Sequence, residues 1–367
     1  MRHEVPVPIG DPFLYLESDG RRAVVTNTLE DARVARDAPE LERLGDAELG
    51  RDELIAAGLS RFEIQREICL RAAQALGIRA AFVPLDFPVG LADGLRAAGL
   101  LLTPAGAVFT QRRRHKTEIE MAGIRRAANA AVEAMRDAAG LLRAAEIRHD
   151  ELWHDGERLT SESVRARIRD MCARAGAPAP ADIMVKSMGP DAKIGHDPGS
   201  GPLAAGAPIL IDLWPQDEAS GCWADMTRTF VRGAISDQIG AIHRLVTDAH
   251  ERVLAAVRPG VPGVELYNVV CDMFEAAGYP TGRTNQPGQP LREGFYAGLG
   301  HGVGLQVHEA PSLGRIGAEP LIVGDVLAIE PGLTDRAIGG TRVEDTLVVT
   351  EQGIENLTDE VPYDLAV

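Results

Sequence analysis

The chain has 367 residues, more than one hydrophobic core usually serves, and its 45% hydrophobic content is ordinary for a soluble globular protein, so two domains are expected. Its 38 basic and 54 acidic residues leave a net charge of −16, which repels nucleic acid and anionic membrane surfaces and disfavours either as a partner. The four cysteines, Cys69, Cys172, Cys222 and Cys271, lie far apart without a CxxC, which suggests neither a disulfide framework nor a thiolate zinc site and fits a reducing cytoplasm. The segment MRHEVPVPIGDPF has no apolar core before its prolines, and no run reaches the ~18 apolar residues of a membrane span, so neither export nor anchoring is expected.

In chain order, FLYLESDGRRAVVTN reads as two short strands around an Asp19-Gly20 turn, RFEIQREICLRAAQALG as a helix, and AAFVP as a further strand. The basic segment Gln111 to Glu118, QRRRHKTE, interrupts this small α/β unit. It reads as a solvated linker, with a phosphate or partner site as the alternative, and Thr117 stands where it can cap the Ala-rich helix that follows. The boundary is placed there, giving domains 1–112 and 113–367. Beyond it, helices are expected at about 117–143, 161–174, 237–257 and 263–277, separated by apolar strands, which makes the second domain α+β.

The chemistry lies in those strands. PILIDLWPQDEASGCWADMTRTFV reads as an apolar strand ending in Asp212, a turn, and a second strand carrying Asp225, thirteen residues on. DVLAIEPGLTDRAIGGTRVEDTLVV repeats the plan with Glu330, a Gly-rich turn, and Glu344 fourteen residues on. An ionised carboxylate at the inner end of an apolar strand costs several kcal/mol unless it is paired or coordinated. Any one of the four can end its strand at the surface or pair with Arg228 or Arg342; four in two matching hairpins call for a cation. Between the hairpins, GLGHGVGLQVHEAP places His301 and His308 seven residues apart among glycines. A catalytic pair, a metal ligand with a helper, and two buried histidines all fit that fragment. Oxygen-rich ligation with one imidazole suits manganese, cobalt, iron or zinc, and two ions sharing carboxylates, typically ~3.5–4 Å apart, account for the number of acids. Thr227 and Thr346 each follow an acid by two, so strand periodicity puts them on its face as hydrogen-bond donors, although a strand preference for Thr explains them equally well.

These segments, together with KIGHDPGSGPLAAG upstream, resemble the pita-bread-fold metallopeptidases that include methionine aminopeptidase, aminopeptidase P (Xaa-Pro aminopeptidase) and prolidase. The resemblance covers about Arg113 to Thr350, with all five fragments in the family's order. The preceding unit is similar to the amino-terminal domain of aminopeptidase P and prolidase. The resemblance implies a pita-bread catalytic domain with two divalent ions, manganese first and cobalt, zinc or iron as alternatives. By position it implies Asp212, Asp225, His301, Glu330 and Glu344 as ligands, with Asp225 and Glu344 bridging. It further implies that Glu330 handles the proton of an attacking metal-bound hydroxide, and that His196 and His308 assist at the scissile carbonyl. A homodimer acting on short peptides or another small molecule is the implied assembly and substrate class.

Three departures accompany the likeness. The first hairpin is longer than the family's, with PQDEAS as an insertion; Trp214 replaces a usual glycine; and Ala297 replaces a histidine that proline-directed members carry four residues before the metal histidine. The expected activity is Xaa-Pro aminopeptidase- or prolidase-like hydrolysis. A same-fold amide or amidine hydrolase or lyase is the alternative, and a metal-free binding protein is the non-enzymatic one, against which the five retained ligand positions argue. Of the other histidines, His149 and His154 miss the i, i+4 register of a helical metal pair and are expected at the surface. His243 and His250 share a solvated or packed helix face. Trp153, Trp214 and Trp223 are expected in the core, with Trp214 and Trp223 placed to wall a substrate pocket.

Overall fold

In the computed structural model, which describes residues 2–190, 192 and 195–367, Asp19 and Gly20 turn the chain at positive φ and the flanking strands Tyr15–Ser18 and Arg21–Thr26 pair antiparallel. Glu42–Gly45 adds to them in parallel, and Ala80–Val83 pairs in parallel with Leu101–Pro104. The helix Arg61–Ala75 begins at a capping box, in which Ser60 and Glu63 satisfy each other's backbone N–H groups. These elements belong to the first of two compact units, Met1–Arg113; the second is Arg114–Val367.

The basic segment between them is not a solvated linker. Residues up to Arg114 complete the helix Gly106–Arg114. Arg112 pairs with Glu4 and Glu17 at 3.1 and 2.7 Å. The buried Arg114 makes a bidentate pair with the buried Asp325 at 2.8 and 2.6 Å, and Lys116, buried as well, lies 2.7 Å from Glu309. Each cation meets an acid distant in sequence, and removing one partner of such a buried pair costs roughly 3–5 kcal/mol.

The second unit is α+β and consists of two similar halves. In the first, the helices Glu118–Ala144 and Ser161–Arg174 pack on an antiparallel sheet ordered Met226–Phe230, Ile209–Leu213, Met184–Ser187. Thr117 and Glu120 form a capping box that starts the long helix, and its alanines give a flat buried face for close packing. In the second half, Asp237–Ala256 and Gly263–Ala276 pack on a five-stranded antiparallel sheet: Glu309–Leu313, Gly300–Gly302, Val326–Ile329, Asp345–Thr350, Gly353–Asn356. Among the described residues no helix is long and apolar enough to cross a membrane. The four cysteines are buried and free.

Candidate metal centre

Asp212 lies within the strand Ile209–Leu213, opposite Thr227 of Met226–Phe230, and Asp225 immediately precedes that second strand. In the other hairpin, Glu330 follows Val326–Ile329 and Glu344 precedes Asp345–Thr350, whose ends pair through Ile329 and Asp345. The Gly-rich turn between these acids is itself a hairpin, Gly332–Asp335 with Gly339–Arg342, and it delivers Arg342 to the acids. The two acid hairpins meet at one backbone bridge, where the Glu344 N–H donates to the Thr227 carbonyl at 3.0 Å.

The threonines cross over between the hairpins. The Thr227 hydroxyl donates to Glu344 Oε2 at 2.6 Å, whereas Thr346 serves the backbone of Asp225, donating to its carbonyl at 2.7 Å and accepting from its N–H at 2.9 Å. Each threonine therefore holds the acid of the opposite strand, not the one two residues before it.

His301 occupies the strand Gly300–Gly302, and a register shift between His301 and Gly302 bulges the pairing with Glu309–Leu313. That bulge brings the rings of His301 and His308 to a centroid distance of 4.2 Å, edge to face. The flanking glycines are required by close approach. A side chain at Gly302 would stand 2.1 Å from the Ala310 carbonyl, and one at Gly304 would stand 2.6 Å from Glu309 Oε1 in its pair with Lys116. His301 Nδ1 faces the Gly302 carbonyl at 3.2 Å, which fixes the N–H there and leaves the Nε2 lone pair 3.6 Å from Glu330 Oε1 and 3.8 Å from Asp225 Oδ2.

Among the described residues, Arg342 is the cation that pairs with these acids. Arg342 pairs with Asp212 and, at 3.2 Å, with Glu330, and its Nε donates to Thr227. Arg228, the other arginine in reach by sequence, faces away and pairs with Asp345 at 2.8 Å. One guanidinium does not balance four carboxylates, three of them buried. Asp225 Oδ1 and Glu344 Oε1 are buried with no hydrogen-bond partner. Burial, then the charges of Glu344, Asp212 and Glu330, push the Asp225 carboxyl well above its ordinary range; burial, then Glu330 and Asp212, do the same to Glu344. Burial also raises Glu330, against the opposing pull of Arg342. His301 is lowered by burial, and His308 by burial and by His301, so both rings are neutral near pH 7. Donor atoms of Asp225, His301 and Glu344 all lie within 4.8 Å of one another. Two carboxylates, each with an orphaned buried oxygen, gathered with a neutral imidazole form a donor set that fits a divalent cation with mixed oxygen and nitrogen ligation.

Glu330, Arg342 and His196 line one cavity of about 100 Å³, together with Lys186, Tyr296 and Ala297. His196 is exposed at its rim; Lys193 and Ile194, which open its motif, lie outside the described residues. A larger hollow of about 510 Å³ shares Tyr296 and Ala297 with it and contains Arg315 and Ser312. Trp214 packs on the cluster of Met184, Met188 and Leu210, three residues of the smaller cavity's wall, while Trp223 packs with Ile124 and Val303. His149 is exposed, His154 is half-buried beside Asp155, and His243 and His250 are packed in the interior.

Two features escaped the sequence reading. Lys186, whose Nζ donates to the Gly195 carbonyl at 2.8 Å and whose pKa burial pushes down, sits in IMVKSMG without any distinguishing pattern. Arg342 was weighed only as a partner for a single acid. Its place two residues before Glu344 was the available signal, since period-2 alternation puts both on one face.

The model for metallopeptidase family M24 matches residues 122–351. The Xaa-Pro dipeptidase of Pyrococcus furiosus is 30% identical over 196 residues, which cover 53% of this chain and 52% of that protein. The chain spans about half the length of the curated relatives it matches. Among solved structures, an Xaa-Pro dipeptidase from Bacillus anthracis superimposes with a TM-score of 0.81 at 23% identity, covering 100% of this chain and 92% of the other. A prolidase from Pyrococcus furiosus does so with a TM-score of 0.74 at 21% identity, covering 96% and 90%. The structural likeness fixes the fold as pita-bread. With that fold and a family match across most of the catalytic unit, the chain belongs to metallopeptidase family M24.

Proposed function

We propose that this protein is a dinuclear metal-dependent peptidase that cleaves short peptides next to a free amino terminus, of the Xaa-Pro dipeptidase and aminopeptidase P kind. The observation that carries this reading is the pair of orphaned, buried oxygens, Asp225 Oδ1 and Glu344 Oε1, on two acids whose donor atoms gather with that of His301. Asp212, Asp225, His301, Glu330 and Glu344 would hold two divalent ions, manganese first and cobalt, zinc or iron as alternatives, with Asp225 and Glu344 shared between them. Such ions supply polarisation of the scissile carbonyl and acidification of water to a pKa near about 7.

The chain's own residues supply the rest. Glu330 has a raised pKa and one oxygen held by Arg342, which suits it to accept and hold a proton at the other. His308, neutral and packed edge to face on His301, offers an N–H to oxygen charge developing at the carbonyl, and His196 approaches from the rim of the same cavity as Glu330. Lys186 lines that cavity as a cation beside the paired Arg342 and Glu330, a position suited to meet an anionic group of the substrate. Ala297, on the wall shared by both cavities, favours a second reading in which the substrate is a small amide or amidine without proline.

Titration of the metal-stripped protein with Mn²⁺ tests the metal reading: two equivalents bind, and Asp225→Ala or Glu344→Ala impairs both sites. Affinity weakens as pH falls, because the raised carboxyls hold protons that the ion must displace. Full occupancy of one site after either substitution would exclude bridging.

A further inference from the structure

Among the described residues the backbone bridge between the two acid hairpins is one pair, Thr227 with Glu344, flanked by threonine hydroxyls that bond the opposite backbone, Thr346 on Asp225 and Thr229 on Arg342. Strand alternation sends the next residues, Arg228 and Asp345, to the opposite face. There the Arg228 guanidinium, 1% exposed, donates from one nitrogen to both carbonyls of the bridge, Thr227 at 3.0 Å and Glu344 at 2.7 Å. Its other terminal nitrogen reaches Asp345 at 2.8 Å. Asp345, fully buried, accepts in turn from Thr358 at 2.7 Å, from Asn356 at 2.9 Å and from the Tyr363 hydroxyl. The ring of Tyr363 lies 4.6 Å from the guanidinium carbon, so the segment 356–363 closes the network from behind.

We propose that Arg228, Asp345 and Tyr363 act as positioning residues that set the spacing of Glu344 and Asp225, and that this carboxy-terminal segment is a working part of the metal centre although none of its residues reaches the ion. The inference rests on the reading of Glu344 and Asp225 as ligands. A clamp on both carbonyls of this bridge has an effect that an ordinary buried ion pair lacks. When it loosens, Glu344 shifts relative to Asp225 while the surrounding sheet stays paired, and metal–ligand distances tolerate only about 0.2 Å.

The test is calorimetric titration of the metal-stripped full chain with Mn²⁺, with Tm measured on each sample. Tyr363→Phe keeps the ring and removes one hydrogen bond; Asp345→Asn keeps the shape and removes the charge. Ile168→Ala, a cavity variant on the helix Ser161–Arg174, is the control for plain loss of stability. Tyr363→Phe is expected to weaken Mn²⁺ binding about tenfold and Asp345→Asn by about 10–100-fold, whereas Ile168→Ala lowers Tm and leaves affinity unchanged. Unchanged affinity in both network variants overturns the inference, and so does equal weakening in Ile168→Ala. Should Asp345→Asn not fold, Tyr363→Phe decides alone. A wild-type chain that binds none of Mn²⁺, Co²⁺ or Zn²⁺ instead fails the metal reading itself, and the inference with it.

Discussion

His301 and His308 sit ring against ring, yet their surroundings assign them different work. His301 is held by the carbonyl of its own neighbour and aims its free nitrogen between two carboxylates, whereas His308 is exposed and has no carboxylate within ion-pair distance among the described residues. Replacing His301 with Ala removes a nitrogen donor that no nearby group replaces, so metal affinity and activity should fall together. His308→Ala or His196→Ala should keep the metal and lose mainly kcat, by ~10²–10³ where a donor to developing oxygen charge is lost. Mn²⁺ titration alongside kcat separates the two classes. A His308→Ala protein stripped of metal as thoroughly as His301→Ala would reverse the assignment. The four acids were legible in the sequence because each interrupts or ends an apolar run, where an unpaired charge is costly. The crossed threonines were not, because period-2 reasoning ranks neighbours along one strand and the nearer partner lay across the seam.

At the level of elements, the helices were read well where local chemistry marks their ends. Ser161–Arg174 starts at a Thr160 cap, and Glu118–Ala144 starts at Thr117. The basic segment was misread because nothing local shows that Arg114 and Lys116 meet Asp325 and Glu309, some two hundred residues on; such pairings are decided by tertiary packing. The helix Asp237–Ala256 gives a further test. His250 lies fully buried on it, 3.6 Å from Asp345, and burial, only partly offset by that carboxylate, pushes its pKa down to about 4. Unfolded histidine titrates near ~6.5, so between about pH 4 and 6.5 the unfolded chain binds the extra proton. The contribution is therefore complete above that window and is lost as pH falls through it, by roughly 2–3 kcal/mol at its lower end. Urea unfolding of wild type and His250→Gln, each compared with itself at neutral and acidic pH, isolates this group from the carboxylates. Wild type should show the larger acid-side loss, and parallel pH curves would refute the assignment.

For the molecule as a whole, membership of the family goes with the fold and leaves the substrate open, and the residue that bears most directly on it is Ala297. It lies four residues before His301, on the wall common to the small cavity of Glu330, Arg342 and His196 and the larger hollow beside it. Proline-directed members of the family, which this chain otherwise resembles, carry a histidine there. A methyl group neither donates a hydrogen bond nor relays a proton, and losing one such contact costs ~10²–10³ in rate where it stabilises the transition state. Retained proline selectivity would need another donor at this wall, and Lys186, His196, Tyr296, Thr334, Thr341 and Arg342 are the donors that line the same cavity. Lys186 is committed to the Gly195 carbonyl, Arg342 to Asp212 and Glu330, and His196 is exposed at the rim, so none of these three stands in directly for the missing imidazole. Hydrolysis of Xaa-Pro peptides is accordingly expected to be slower than that of the matched Xaa-Ala peptides. Ala297→His should raise kcat/KM for Xaa-Pro selectively, with Mn²⁺ affinity unchanged because the five proposed ligands are untouched. Comparing kcat/KM for both peptide series in the two proteins is the measurement. A wild-type enzyme already selective for Xaa-Pro, and unimproved by the added imidazole, would show that the shared wall reads proline by other means.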